Sequence, residues 1–238
     1  EHILDLLEQF VNDKVKNKKS RFIGKKVLIT AGPSHEPIDP VRFIGNRSSG
    51  KMGYALAKEG ISRGAEVSLI SGPVQLDTPR DLKQFISVKT AAEMHTEVLK
   101  RQDDTDLFMM AAAVSDYRSM SKSNQKIKKS DQNLKLDLEP TEDILHHLGH
   151  NKQKHQEVVG FALETENEEV NAKAKLERKK CDLIVLNSLN NSGTAFDSED
   201  NQISIFDRNN NSRSYELKSK SEVAKDIFDY LENNRFNE

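Results

Sequence analysis

Residues 26–71 read KVLITAGPSHEPIDPVRFIGNRSSGKMGYALAKEGISRGAEVSLIS, and the order of patterns inside this stretch decides the fold class. KVLITAGP, from Lys26 to Pro33, is a short β-branched run closed by Gly-Pro, which predicts a buried strand followed by a turn. From Ser49 the apolar residues Met52, Ala55, Leu56 and Ile61, with Glu59 among them, recur at helical spacing, and Gly64 supplies the stop. AEVSLIS then reads as a second strand. A strand, a helix and a strand in that order predict parallel pairing, because a parallel return needs a crossover long enough to hold a helix.

The same alternation continues downstream. DLKQFISVKT gives a third strand, and AAEMHTEVLKRQ a helix with Ala92, Met94, Val98 and Leu99 turned inward. TDLFMMAAAVSDYR is an apolar strand that runs into a loop. HQEVVGFALET and DLIVLNSLN are further strands, with the helix ENEEVNAKAKLERKKC between them. QISIFDRNNNSRSYEL predicts a hairpin around an Asn-rich turn, and SKSEVAKDIFDYLENN a closing amphipathic helix. The fold class is therefore α/β and Rossmann-like: a mostly parallel sheet covered by helices on both faces, with a long flap and a C-terminal hairpin plus helix. Ahead of this domain, taken as residues 26–238, residues 1–25 read as a helix (Ile3, Leu6, Leu7, Phe10, Val11) and a Lys-rich linker.

Composition removes several function classes. The 36 basic and 38 acidic residues leave a net charge of −2, so nothing attracts the chain globally to nucleic acid or an anionic membrane. No apolar run approaches the roughly 20 residues of a membrane span. Cys181 is the only cysteine, which suits a reducing, cytoplasmic setting and reads as a core residue. His146 and His150 have the spacing of a zinc pair on a helix, but no Glu follows His146, and no metal ligand is assigned.

Ligands of such sheets sit beyond the carboxyl ends of the strands. That directs attention to the loops within Gly32–Gly50, Ser71–Thr78, Ala111–Lys129, Phe161–Thr165 and Asn187–Asp200. GNRSSGKMG, from Gly45, resembles a P-loop, but Met52 stands where the metal-binding hydroxyl belongs. The preceding strand also ends near Thr30, far ahead of Gly45. Ser48 or Ser49 instead reads as the N-cap of a helix whose free N–H groups favour an anion. Lys175 and Lys179 share a helical face, an unfavourable arrangement unless an anion or neighbouring acids offset it.

ITAGPSHEPIDPVRFIGNRSSGKMGYALA resembles the signature of phosphopantothenate–cysteine ligases, the second half of the bacterial bifunctional coenzyme A biosynthesis proteins. MAAAVSDYR, QKIKK, VVGFALET with the lysine-bearing helix after it, and CDLIVLNSLN with AFDSEDN resemble further motifs of that family in the same order. The resemblance implies ligation of 4′-phosphopantothenate with L-cysteine, driven by CTP with Mg²⁺, through an acyl-cytidylate. It implies a homodimer, and it makes residues 1–25 the end of a preceding flavin-dependent decarboxylase half, so that no flavin belongs to this part.

The resemblance also implies roles. Asn46 would hold the acyl-cytidylate, with Gly45, Arg47, Ser48, Ser49 and Gly50 shaping the same pocket. Ala111, Ala112, Asp116, Phe161, Lys175 and Lys179 would bind the nucleotide, and Lys126 would reach its phosphates from a flap. Asp143 carries over less directly, because PTEDIL has Thr141-Glu142 where the family has Asn-Pro. Two other readings stand beside this one. A nicotinamide-dependent dehydrogenase would share the fold class, but no G-x-G-x-x-G follows the first strand. A non-catalytic assembly module would not need Asn46, Asp116 and Lys126 intact.

Overall fold

In β1 (Lys26–Ala31) successive side chains point into two different cores. Val27, Ile29 and Ala31 join one hydrophobic cluster and Leu28 joins the other. That double burial is the signature of a sheet covered on both faces. The chain is described by a computed structural model over residues 20–129, 133–164, 166–188 and 198–235. The expected N-terminal helix and most of the basic linker lie outside these residues, as do parts of the flap and of the loop after Asn187.

The sheet contains β1, β2 (Glu66–Ser71), β3 (Gln84–Ser87), β4 (Leu107–Met110), β5 (Glu157–Glu164), β6 (Leu183–Ser188), β7 (Ile203–Asp207) and β8 (Ser212–Ser214). Their spatial order is β3-β2-β1-β4-β5-β6-β7-β8. Every pairing from β3 across to β6 is parallel; β6–β7 and β7–β8 are antiparallel. The fold class read from the sequence is thus the one observed, down to the C-terminal hairpin.

On the first face lie α1 (Lys51–Ser62) and α5 (Lys220–Asn234), burying Leu56, Ala57, Val223, Ile227 and Phe228 over β1 and its neighbours. On the second lie α2 (Ala91–Leu99), α3 (Ile144–Asn151) and α4 (Glu168–Lys179), with Met94, Val98, Ile144, Leu148, Ala172 and Leu176 in the second core. In α2 the buried face is Ala91, Met94 and Val98; Ala92 and Leu99 sit at its margin, one position off the inward face expected. α1 packs unusually close to β1, because a Cβ on Gly53 would lie 2.5 Å from the Ala31 Cβ.

Arg63, after α1, pairs with Glu59 at 2.7 Å, Asp229 at 2.6 Å and Glu232 at 3.1 Å, and so ties α1 to α5. Phe22 is fully buried and meets the Phe228 ring edge-on at 4.8 Å. Packing therefore begins a few residues ahead of β1. Cys181 is buried at the start of β6, and burial pushes its thiol up to about 12.

Two loops at the carboxyl ends of the strands build small ribbons. After β1, His35–Pro37 pairs antiparallel with Phe43–Gly45. After β4, Tyr117–Ser119 pairs with Leu138–Pro140. The buried Glu36 carboxylate accepts the Ala91 N–H at 2.8 Å, which anchors the first ribbon to the start of α2. Among the described residues no helix is long and apolar enough to cross a membrane.

Candidate active site

β1 and β4 are adjacent, yet the chain leaves them toward opposite faces of the sheet, to α1 and to α3. The loops diverge there and leave a crevice, the place where open α/β sheets bind ligands. Two clefts of about 920 and 400 Å³ occupy it. Ala112, Val114, Asp116, Phe161 and Lys175 line both, forming a shared wall.

The smaller cleft is bounded by the loop entering α1. Asn46, Ser48, Ser49 and Gly50 line it together with Lys51, Met52 and Gly53. The Asn46 side chain is held by donating to two main-chain carbonyls beyond β4, Ala113 at 3.3 Å and Val114 at 3.0 Å. The helix is capped differently from the serine N-cap expected. Its N-cap is Gly50, in the left-handed region with φ 77°, and the Ser48 hydroxyl accepts the Gly50 N–H at 3.4 Å. A side chain at 50 would also strike Val74, whose Cγ1 lies 2.7 Å from a Cβ placed there. Gly45 and Arg47 do not line either cleft.

The larger cleft opens between the ends of α3 and α4. Lys175 donates to the Phe161 carbonyl at 2.8 Å, and burial pushes its pKa below the ordinary lysine value. Lys179 and Asp143, both expected at the nucleotide, are ion-paired with each other. Asp143 also caps α3, accepting the His146 N–H at 2.9 Å. Burial raises the Asp143 pKa, but the Lys179 ammonium and the His146 N–H outweigh it and hold the carboxyl below its ordinary range. A polyanion entering this cleft would compete with Asp143 for Lys179.

Phe161 is half-buried, packing against the first core while exposing an edge to both clefts. Ala111 lines the smaller cleft and Ala112 both. Asp116 is exposed, and its carboxylate has no ion pair among the described residues. Lys126 is exposed and lines neither cleft. Its loop is fastened below it, where Ile127 meets Asp39 and Arg42.

Sequence reading pointed to the loop from Asn187 but assigned no site residue on one wall of the smaller cleft. Asn187 at the end of β6, Asn201 in the ribbon Asp200–Asn201, and Lys220 at the start of α5 all reach the smaller cleft. They come from three elements that no local pattern connects. Asn187 lies in the CDLIVLNSLN motif and Asn201 in AFDSEDN, the hints available. The Asn187 Oδ1 is buried without a hydrogen-bond partner. His146 and His150 pack with tilted rings, centroids 3.9 Å apart, and among the described residues no group of three ligating side chains could hold a metal.

Magnesium bound with a nucleotide is held largely by phosphates and one or two carboxylates. Asp116 fits that role, as an unpaired acid on the wall the two clefts share. Taken together, the site offers a held amide donor, the amino end of α1, and cations suited to a polyphosphate.

Residues 22–234 match the family model described as the DNA/pantothenate metabolism flavoprotein C-terminal domain. The chain is 46% identical over 204 residues to the Coenzyme A biosynthesis bifunctional protein CoaBC of Bacillus subtilis, covering 86% of this chain and 50% of that protein. It is 45% identical over 227 residues to a protein of an unknown prokaryotic organism named Cysteine/Cysteine sulfinic acid decarboxylase, covering 95% of this chain and 63% of that one. The chain thus spans about half to two thirds of the length of these curated relatives. Among solved structures, the C-terminal domain of a CoaBC protein superposes with a TM-score of 0.75 at 37% identity, over 89% of this chain and 96% of that one.

Proposed function

This chain belongs to the family of DNA/pantothenate metabolism flavoprotein C-terminal domains, and from that premise we propose that it is a phosphopantothenate–cysteine ligase of coenzyme A biosynthesis. The observation that carries the reading is the meeting of two clefts along one wall, with the Asn46 amide beside it. A ligase that activates a carboxylate with a nucleotide needs that layout, since two substrates must meet end to end.

In the first step the carboxylate of 4′-phosphopantothenate attacks the α-phosphorus of CTP. A new P–O bond forms, the bond to pyrophosphate breaks, and an acyl-cytidylate results. In the second step the neutral amine of cysteine attacks the acyl carbon, the bond to CMP breaks, and a proton leaves the nitrogen. Lys175 and Lys179 meet the polyphosphate from α4, with Asp143 released from Lys179 as the nucleotide enters. Phe161 and the Ala111–Ala112 backbone give a flat wall for the base. Asn46 turns an N–H from the Ala113 or Val114 carbonyl to the acyl oxygen, where negative charge builds as cysteine attacks in the second step, and being neutral it adds no charge to the substrate carboxylate. Ser48, Ser49 and the first N–H groups of α1 border that position. Lys126 reaches the phosphates from its loop as a compact, mobile cation. When bound, Mg²⁺ would be held by Asp116 and the phosphates, and would neutralise charge on the polyphosphate.

Assembly as a homodimer is part of the proposal. Val41, Phe43, Tyr117, Met120 and Leu138 are large apolar side chains left exposed on the two ribbons and the loops joining them. Clustered exposure of that kind marks an interaction surface. Light scattering at high micromolar concentration should give twice the mass of the chain, and a strict monomer would overturn the assembly. For the activity, pyrophosphate release is measured with each of the four nucleotides, with and without cysteine. CTP should support release with phosphopantothenate alone, and amide product should appear only with cysteine. Preference for another nucleotide would remove the CTP assignment, and release without phosphopantothenate would remove the ligase. Fusion to a decarboxylase half, which accounts for the longer relatives, is part of the same proposal.

A further inference from the structure

Asp39 is a buried acid in the turn of the first ribbon, between Pro37 and Phe43, with its side chain fully covered. Its carboxylate receives five hydrogen bonds. Oδ1 accepts the Val41 and Arg42 N–H groups, each at 2.8 Å. Oδ2 accepts Arg42 Nε at 3.0 Å, Arg42 Nη2 at 2.5 Å and the Ile127 N–H at 3.1 Å. The same Arg42 Nη2 donates to the Ile127 carbonyl at 2.8 Å. Ile127 is therefore gripped at both its polar groups by one Asp–Arg pair 85 or more positions away in sequence. A further strap joins the same loops, since the Ser123 N–H donates to the Ile38 carbonyl at 2.9 Å.

Lys126 is the residue immediately before Ile127. We propose that Asp39 is a positioning residue for the nucleotide step, acting through Arg42 and Ile127 to fix the backbone from which the Lys126 ammonium reaches the phosphates. The proposal rests on the ligase reading given above for the role of Lys126; the clamp itself rests on geometry alone. A charged carboxylate is required, because every group facing it is a donor. An amide in its place would turn an NH₂ toward either the two loop N–H groups or the Arg42–Ile127 pair. The Arg42 side chain beside it, with the surrounding N–H groups, holds the Asp39 carboxyl well below the usual carboxylate range. The Lys126 side chain is exposed, and no hydrogen bond or ion pair holds its ammonium among the described residues.

The test compares parent, Asp39→Asn, Lys126→Gln and the double variant in two measurements. Amide exchange at Ile127, followed by NMR in the absence of ligands, should quicken at least about tenfold in Asp39→Asn, the factor that losing a hydrogen bond to a charged group gives. Exchange in β1 and β4 should stay as in the parent. Pyrophosphate release with CTP and phosphopantothenate should slow by about tenfold in Asp39→Asn, and the double variant should be no slower than Lys126→Gln. Unchanged exchange at Ile127 overturns the clamp. Losses that multiply in the double variant overturn positioning through Lys126. Should Asp39→Asn fail to fold, Arg42→Gln removes the grip on the Ile127 carbonyl and is judged by the same two measurements. A parent that releases no pyrophosphate sinks the ligase reading instead, and the exchange comparison alone then decides the clamp.

Discussion

The two ends of the central sheet handle charge in opposite ways. At the amino ends of β5 and β6, two buried acids and three cations are packed together. Asp182 meets Lys152, meets Arg208 at 2.7 Å and Arg235 at 3.5 Å, and accepts the Val158 N–H at 2.8 Å. Glu157 takes Arg235 in two-pronged fashion, at 2.8 and 3.0 Å. At the carboxyl ends, Asp116 and Lys126 stand exposed with no ion pair among the described residues, and Asn46 spends its amide on two carbonyls at the rim of a cleft. One end uses charge to fasten five chain segments; the other, beside pairs such as Lys179–Asp143, keeps Asp116 and Lys126 without a charged partner among the described residues. A side chain's partners, more than its type, tell which task it has.

The contrast is sharpest at Asp182. Asp182→Asn removes the acid at the centre of the network and leaves the largely covered Lys152 ammonium without its partner. Arg208 is half exposed and Arg235 keeps Glu157, so unfolding free energy should fall by about 3 kcal/mol, the low end for a broken buried pair. Urea unfolding measures this, and the specific activity of the folded protein should hold. A loss below 1 kcal/mol would mean that the network is solvated and that the two ends do not differ.

Asn46→Ala should show the opposite pattern. Losing an amide donor to a developing oxyanion costs about a hundred- to thousandfold in rate. Thermal unfolding should stay near that of the parent, because the residue is exposed. Unimpaired ligation by the folded variant would return Asn46 to being a loop residue. The smallest effect separates two neighbours. Lys126→Gln and Lys128→Gln should each change stability by no more than about 0.5 kcal/mol. Only the first should slow pyrophosphate release. Equal release rates for both, measured across a CTP titration, would make the whole run ordinary surface.

The two ends also differ in how far the sequence exposed them. The strand–helix–strand order around Met52 and Leu56 was legible because buried faces impose periods, and so was the Asn-rich hairpin between β7 and β8. Capping by Gly50 was not, since the reason lies in Val74, which sits in another loop and leaves no space for a side chain. The motif residues Asn46, Asp116, Phe161 and Lys175 do converge on the clefts. Asn187 and Asn201 lie in segments the motifs marked, but their meeting with Lys220 escaped notice because it depends on β6, a two-residue ribbon and the start of α5 coming to one place. The pairing of Lys179 with Asp143 escaped for a similar reason. A like-charged pair on one helical face gives no sign of an acid waiting on the next helix.

α5 has a place at both ends. It begins at Lys220 in the wall of the smaller cleft, and Arg235, just past its last turn, closes on Glu157 at the far side. In genetic terms this makes the gene intolerant of late stop codons. A nonsense allele at Lys220 leaves every strand of the central sheet encoded, yet deletes a wall of the cleft, the partner helix of α1 and a clasp of the opposite edge in one event. Such an allele would behave as a complete null, and a second-site suppressor would have to supply a helix rather than a residue.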